Sequence, residues 1–526
     1  MDLMTKYLLR RILHGLVSVI LVVAIVMLMI YSLLDRKLIF AGDPQYSKVL
    51  ANDKVMYEYR QWKRYGYLDY ITYEEYLQQL AKTGEISEEE RSAAVQLGLK
   101  PSDDSKKTKE YVKKFTEEYE AQGYTIRRLN AIANRRGVIQ TGGKQRLLAY
   151  KDRPLIMRLG SYITGLIGVD NIHSVEDDAV GERKLTFTLH DPVYGGKFAP
   201  AIMGNGTQHK YLLYVDGEFP FVHQNLVNIN LGQSYTVNRG VDVAITMSRT
   251  QGSYVQSMVT YPTGLQEMSA DDLHTAVYQP GSRESSAVVK ARFTDNYTSV
   301  QTHKGGLSKV GYSFVIGIFA VMLTYLLGVP IGIWMARRKD KLVDKIGTVY
   351  IVFIIAVPSL AYIFLFKALG GKLGLPTTFN VDSFNVAMTV LPIVSLALPS
   401  IGSLMRWLRR YMIDQMNADY VKFARSGGLS EREIFSKHIL KNAAIPLIHG
   451  IPASVLGSLV GAIITERVYV VPGAGNLLTE AIGKYDNGVI VGVTLFYALL
   501  SVVSIILGDI LMSMVDPRIS FSSKAR

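Results

Sequence analysis

Apolar and polar positions fall in blocks along this chain, and the block lengths carry the first information. Six runs stay nearly free of charge over about the 20 residues that a helix needs to cross a hydrocarbon core. They are Tyr7–Leu34, Val310–Ala336, Ile346–Phe366, Ala387–Leu408, Pro446–Thr465 and Val489–Met514. The pattern predicts about six membrane-spanning helices, the fourth and fifth interrupted by Pro or Gly. The first run contains "LVSVILVVAIVMLMIYSLL", longer than the apolar core of a cleaved leader. No small-residue cleavage pattern follows it, so it reads as a retained anchor.

Between the first two runs, residues 35–304 have the texture of a soluble domain. "TYEEYLQQL" places Thr72 three residues before Glu75, and "SEEERSAAVQ" places Ser87 three before Glu90. Both fit a capping box, in which each side chain satisfies the other's free backbone donor. "KKTKEYVKKFTEEYEAQ" continues the helical texture. From about Lys184 the pattern changes to β-branched and aromatic alternation, in "KLTFTLHDP", "HKYLLYVDGEFPF", "VDVAITMS" and "YVQSMVTYPTG". The expectation is an α+β domain, helices first and strands after. With 32 Tyr in the chain, most of its tyrosines are expected in packing. The organisation is thus a first transmembrane helix at 1–34, the α+β domain at 35–304, and a five-helix membrane core at 305–526 that includes a polar loop at 415–441.

That loop belongs to "DYVKFARSGGLSEREIFSKHILKNAAIPL" (419–447), dense in Lys, Arg, Glu and His between two apolar runs. It predicts two short helices around a hinge. The first, "YMIDQMNADYVKFARS", sets Tyr420, Phe423 and Ala424 on one face by i, i+3, i+4 spacing. Gly427 and Gly428 break it, because Gly adopts left-handed angles without steric cost. Ser430 caps the second helix, and Glu433 three residues later completes a capping box. A loop so closely specified suits docking of a partner protein; a plain tether between two spans is the competing reading.

Charge settles the expected topology. The formal net charge of +13 would suggest nucleic acid in a soluble chain. Here the basic residues cluster beside the apolar runs instead: "KYLLRR" before the first, "ARRKDK" after the second, "RWLRR" closing the fourth, and Arg518, Lys524 and Arg526 after the sixth. Alternate threading puts all of them on one side, which the positive-inside rule makes the cytoplasm. Both termini are then cytoplasmic and 35–304 is extracellular. Cys is absent, so that domain stands on its own core without disulfides.

Signs of catalysis are missing. "GGKQRL" at Gly142 and "GGKLGL" at Gly370 lack the first Gly and the Ser/Thr of a phosphate-cradling loop. His173, Glu176 and Asp177 lie close in sequence, as an exposed turn or a weak metal site. Ionisable residues within apolar runs are functional suspects, since burying them is expensive. Lys367, Glu466 and Arg467 sit near the ends of their runs, where snorkelling and substrate contact are both open. Asp509 lies deeper, available to a substrate or to a polar neighbour. No series of buried acids suggests proton coupling. Pro330, Pro358, Pro392, Pro399, Pro452 and Gly457 mark bends, mobile or static.

The 419–447 stretch resembles the EAA signature of ABC-importer permeases, in the form used by the oligopeptide/dipeptide (OppB/DppB-like) branch. Lys422, Phe423 and Ala424 stand where the Glu-Ala-Ala triplet would be, Gly428 is the motif glycine, and His438–Lys441 replaces Ile-x-Leu-Pro. Gly427 departs from the Lys common in that branch. "KYLLRRILHGLVSVILVV", "LGVPIGIWMARRKDKLVDKIGTVYIVFIIAVPS", "TERVYVVPGAGNLLTEAI", "GDILMSMVDPRIS" and "NLVNINLGQSYTVNRGVDVAI" resemble other family segments in the same order. Residues 35–221 are similar to the enlarged outer domain of AmiC-type oligopeptide permeases.

The resemblance implies a type I ABC-importer permease fold whose hinge seats a coupling helix in a groove of a cytoplasmic ATPase. The implied ATPase-coupling residues are Lys422, Phe423, Ala424, Arg425, Gly427, Gly428, Leu429, Ser430, Glu433 and His438. Asp509, Glu466 and Pro358 are candidates for translocation or gating. The chain itself is expected to be no enzyme and to hold no cofactor or metal, with ATP and Mg in two partner ATP-binding subunits. A second homologous permease subunit and an extracellular lipid-anchored peptide-binding protein complete the implied assembly. It would import peptide across the cell membrane of a Gram-positive bacterium, with no nucleic-acid partner. Two alternatives stay open: the same architecture carrying nickel or a sugar-acid conjugate, and a membrane-anchored receptor.

Overall fold

The first apolar run becomes α1 (Leu3–Leu33), a rod of about 46 Å at the helical rise per residue. This computed structural model describes residues 3–515 except 178–179, 191–197, 216–221, 261–265, 280–286, 294 and 296. The closing Asp-Pro-Arg and the basic tail lie outside the described residues. After α1 come α2 (Ala51–Arg64), β1 (Leu68–Thr72), α3 (Tyr73–Lys82), α4 (Glu88–Ala94), α5 (Lys106–Ala121), β2 (Thr125–Leu129) and β3 (Arg146–Asp152). The strands pair antiparallel in the order β1-β3-β2. Central β3 buries both its faces. Leu147 and Ala149 meet Tyr73, Leu77 and Phe115 on α3 and α5, while Leu148 meets Tyr59 and Trp62 on α2. A three-stranded sheet therefore sits within the half expected to be helical, because one apolar segment, "LLA", is short enough to be covered from both sides.

Capping follows the sequence in part. Thr72 and Glu75 form the full box, with Glu75 N–H donating to Thr72 Oγ1 at 3.2 Å and Thr72 N–H to Glu75 Oε2 at 2.8 Å. Ser87 accepts from Glu90 N–H at 3.1 Å, but the Glu90 carboxylate reaches Lys107 instead. Tyrosines fill the domain's cores, with Tyr59, Tyr73 and Tyr211 among its largest fully buried side chains.

The second half of the domain contains α6 (Leu155–Thr164), β4 (Ile167–Val169), β5 (Lys184–Thr188), β6 (Ala201–Asn205), β7 (Tyr211–Val215), β8 (Val222–Gln224), β9 (Val227–Ile229), α7 (Val243–Ser248), β10 (Ser257–Thr260), β11 (Gln266–Ser269), β12 (Asp271–Tyr278), α8 (Ala287–Arg292) and β13 (Thr298–Thr302). β5 to β8 form an antiparallel sheet in chain order, and β4–β9, β10–β11 and β12–β13 pair separately. "VDVAITMS" is helix α7, not the expected strand. Asp242 caps it by accepting the Ala244 N–H at 2.7 Å, and Val243, Thr246 and Met247 are buried at the spacing of one helix face.

The membrane core then runs α9 (Lys309–Arg337), α10 (Leu342–Ala356), α11 (Ser359–Lys372), α12 (Ala387–Met416), α13 (Asp419–Ser426), α14 (Glu431–Glu433), α15 (Leu440–His449), α16 (Ile451–Tyr469), α17 (Ala474–Gly483) and α18 (Asn487–Val515). Among the described residues, α1, α9, α12, α16 and α18 are each long and apolar enough to span a bilayer. The expected third span, Ile346–Phe366, is not a straight helix. α10 and α11 meet at 109°, because Pro358 lacks an N–H and forces Val357 to extended angles (φ −83°, ψ 128°). The expected fifth span starts too early: α16 begins at Ile451, after a break at Gly450 that Pro452 enforces. The fourth continues past Leu408 to Met416. α9 lies along α12, where Gly328 and Gly332 face Leu404 and Leu408 with almost no room for a β-carbon. Such small-residue pairs let membrane helices approach closely.

One buried carboxylate joins the α+β domain to these helices. Asp486 is fully buried just before α18. It accepts the backbone N–H groups of Tyr235, Thr236 and Val237 at 2.8, 2.9 and 2.8 Å, and the Ser234 hydroxyl at 2.6 Å. The same group caps α18 by accepting the Val489 N–H at 3.2 Å. Beside it, Gly488 and Gly492 let the segment 231–233 lie directly on the helix: added β-carbons would stand 1.8 Å from the Gln233 oxygen and 2.4 Å from the Leu231 oxygen.

Asp486→Ala strands those buried donors and should cost ~3 kcal/mol or more, whereas Asp486→Asn keeps an acceptor and costs less. Gly488→Val should match the alanine variant for steric reasons. Thermal denaturation of the purified protein, with limited proteolysis of the 35–304 domain, measures the ranking.

Candidate functional site

The polar loop forms the elbow that the sequence predicts, with corrected boundaries. Residues 411–416 of the expected first helix belong to the end of α12, and the chain breaks at Asn417 and Ala418 before α13 starts. α13 ends in a Schellman motif. Leu429 N–H donates to the Ala424 carbonyl at 3.2 Å, Gly428 N–H to the Arg425 carbonyl at 3.1 Å, and Gly428 adopts φ +80°. A β-carbon on Gly428 would meet nothing within 4 Å. The demand for glycine there is conformational and not steric. Beyond it the capping box is complete: Glu433 N–H donates to Ser430 Oγ at 3.4 Å, and Ser430 N–H to Glu433 Oε2 at 3.2 Å. Arg425 spans the hinge, donating to both oxygens of Glu431 at 2.5 and 3.1 Å. Lys422 pairs with Asp419 and Lys437 with Glu433.

The elbow's back is sealed to the membrane helices. Val421, Ile434 and Ile439 are buried with Ala336 of α9 and with Leu408 and Met412 of α12, and Tyr420 and Ala424 pack at the margin. Phe423 does not share that face as expected. The buried stripe is centred on Val421, so Phe423 turns outward and is 75% exposed. Leu429 is the other exposed large apolar residue of the hinge. His438 is half-buried within a π-helical turn, Ile434–Ile439, that leads into α15.

Each of the remaining suspects has a place in the packing of the helices. Glu466 neither snorkels nor lies open to a substrate: it is fully buried, accepting the Ser313 hydroxyl of α9 at 2.6 Å and the Asn476 N–H at the start of α17 at 2.9 Å. Gly473 and Gly475 leave the space that its carboxylate fills. Lys367 of α11 donates to the Val468 carbonyl at 2.7 Å, at the C-terminal end of α16 where a cation is favoured. Asp509 accepts from Tyr7 at 3.0 Å and pairs with Arg11 at 3.1 Å, tying α18 to α1. Pro358 makes the α10–α11 corner. His173 and Glu176 enter no group of three metal-ligating side chains among the described residues. Asp177 instead accepts from Tyr278.

Two pairs escaped the sequence reading. Asp344 at the start of α10 accepts hydrogen bonds from Nε and Nη2 of Arg409 of α12, at 2.5 and 2.7 Å, locking the bent helix pair to the end that carries the basic clusters. Asp486 was missed because its partners lie about 250 residues earlier. The local signal was there in "DNGVIVG": a capping acid followed by Gly-x-x-x-Gly.

Residues 328–521 match the family described as the inner membrane component of binding-protein-dependent transport systems. Over 525 residues, 99% of each chain, the protein is 33% identical to the oligopeptide transport system permease protein AmiC of Streptococcus pneumoniae. The dipeptide transport system permease protein DppB of Lactococcus lactis is 33% identical over 213 residues, 39% of this chain and 68% of that one. The nickel import system permease protein NikB of Staphylococcus aureus is 29% identical over 209 residues, 39% of this chain and 61% of that one. With a full-length likeness to one such permease, and with its core matching the family over the elbow and the helices that hold it, the chain belongs to the oligopeptide branch of the ABC-importer permeases.

Proposed function

We propose that this chain is the membrane-spanning subunit through which oligopeptides, delivered by an extracellular binding protein, enter the cell at the expense of ATP hydrolysed by separate cytoplasmic subunits. The elbow carries the proposal. It shows two apolar knobs, Phe423 and Leu429, amid charge, on a helix pair whose own fold is closed by a Schellman turn, a capping box and the Arg425–Glu431 pair. A loop that only joined two spans would not need an exposed aromatic held so firmly. An aromatic anchor in a rigid setting is what a partner's pocket takes up.

The rest follows mechanically. The basic clusters favour a cytoplasmic position for the elbow, the side on which ATPase subunits would work. Because its back is fused to the ends of α9 and α12, a push on Phe423 moves those helices as one body instead of being lost in the loop. The α10–α11 corner and the α15–α16 break at Gly450 are the joints at which the bundle can change packing. A second permease subunit completes the path. The 35–304 domain, extracellular in this reading, receives the binding protein and leads peptide to the helices. Peptide is favoured over nickel as cargo because the full-length relative is an oligopeptide permease, whereas the nickel permease matches 39% of the chain.

Phe423→Asp should lower peptide uptake and peptide-stimulated ATPase activity about tenfold or more, as loss of an interface anchor does. Phe423→Leu should retain most of both, and membrane insertion should be unchanged in either. Nickel uptake, measured in parallel, tests the cargo. Gly428→Leu forces a β-carbon into a left-handed angle at a cost of about 1–2 kcal/mol. It should impair coupling more than Gly428→Asn, which tolerates that angle. Equal uptake by wild type, Phe423→Asp and Gly428→Leu would refute the elbow's role.

A further inference from the structure

A cavity of about 780 Å³ lies between the α+β domain and the ends of α9 and α17 that face it. That is within the range of small-ligand sites. Its walls are the edge strand β13, the neighbouring strand β12, the end of α7, and Lys309 and Glu480 at the helix ends. The joint through Asp486 and the Gly488 surface borders this space at Val237, a donor to Asp486 that also lines the cavity, and leaves the rest of it open.

Three features give the cavity a chemical preference. The first is unbalanced positive charge. Among the described residues Arg249, Lys304 and Lys309 line it against one carboxylate, Glu480, which is already paired with Lys484 at 2.6 Å, while the buried Glu466 also acts on Lys309. Among the described residues, neither Arg249 nor Lys309 makes an ion pair or a side-chain hydrogen bond. Surrounding protein lowers the Arg249 pKa through desolvation, with no acid nearby to offset it. The second is Thr246, a lining residue buried at 2% exposure, whose hydroxyl lies just behind the cavity wall with no hydrogen-bond partner among the described residues. Buried polar groups are nearly always satisfied, and a rotation about χ1 would bring this orphan hydroxyl from behind the wall to a ligand atom in the cavity. The third is β13 itself. It has a strand neighbour, β12, on one side only, residues 299–302 line the cavity, and a free strand edge is one that an extended chain can join by main-chain hydrogen bonds.

We infer that this cavity is a binding chamber for the C-terminal end of a short peptide, its carboxylate held by Arg249 with Lys309 alongside, its backbone laid on β13, and Thr246 supplying a neutral hydrogen bond. An ion pair to the terminus and main-chain pairing along an edge both ignore side-chain identity. The chamber would thus accept many sequences while requiring a free C-terminus. The inference rests on the peptide-import reading and adds to it a site in this chain, apart from the binding protein's own.

The test uses the complete transporter in lipid nanodiscs without the binding protein. An N-terminally dye-labelled pentaalanine and its C-terminal amide are titrated by fluorescence anisotropy. The free acid should bind at least tenfold more tightly than the amide. Arg249→Gln should erase that difference, Arg249→Lys should keep part of it, and Thr246→Val should weaken both peptides severalfold. ATPase activity and binding-protein docking at wild-type levels show that each variant is assembled. Should Arg249→Gln not assemble, the acid-to-amide ratio of wild type and the Thr246→Val titration decide. No binding by wild type, equal binding of acid and amide, or an Arg249→Gln variant that loses only binding-protein docking would overturn the inference. Peptide uptake in cells is scored separately: its absence would count against the import reading, whereas normal uptake without acid preference would count against the chamber alone.

Discussion

Burying an unpaired carboxylate is so costly that a protein does it only when the group is saturated with donors. Asp486 meets that condition through residues 234–237, and the architecture depends on it. The segment that donates lies on α18 together with the α7 that follows it. Fixing it fixes the domain's attitude to the bundle. Around the carboxylate the joint is aromatic. Tyr65 and Tyr235 stack at 3.9 Å, Asn487 donates to the Tyr67 hydroxyl at 2.8 Å, and Arg158 lies over the rings of Tyr31 and Tyr67. Domain, α1 and α18 therefore meet in one knot.

The elbow at the basic end follows the same logic with different parts. Its backbone donors are satisfied locally by Ser430, Glu433 and the Schellman turn, and its apolar face is welded to α9 and α12. Glu466 is a third case, one acid closing the start of α17 onto α9. In each place a short polar device ends a helix and at the same time grips a distant segment. Stiffness is concentrated at the two ends of the bundle, and bending is left to the Pro358 corner and the Gly450 break.

How much of this was legible follows from the range of each interaction. Apolar run length, basic flanks, the Ser430–Glu433 box and the Gly428 turn are local, and the sequence shows them. Phe423 was misplaced because i, i+3, i+4 spacing leaves the centre of a short stripe open, and packing against Leu408 and Met412 chose Val421. "VDVAITMS" was misread because β-branched residues outweigh a single capping Asp242 in a six-residue segment. Pro358 was read as one of several bends in the spans, but hydropathy does not show that the bend there reaches 109°. Glu466 looked like an interfacial charge because Ser313, its partner, is 153 positions away. The orphan hydroxyl of Thr246 becomes visible only when β12 and β13 are brought beside α7.

The bond between Tyr7 and Asp509 spans 502 positions. At ~5–20 residues per second of synthesis, the first helix waits about 25 to 100 seconds for the last. Throughout that interval the inner face of α1 is uncovered, and Arg11 has Tyr7 of its own helix but not yet Asp509. Completion of the ring is thus a late event in biogenesis. A chain cut short before α18 would expose the uncovered face of its first helix to the cell's membrane quality control, however well its earlier parts had folded.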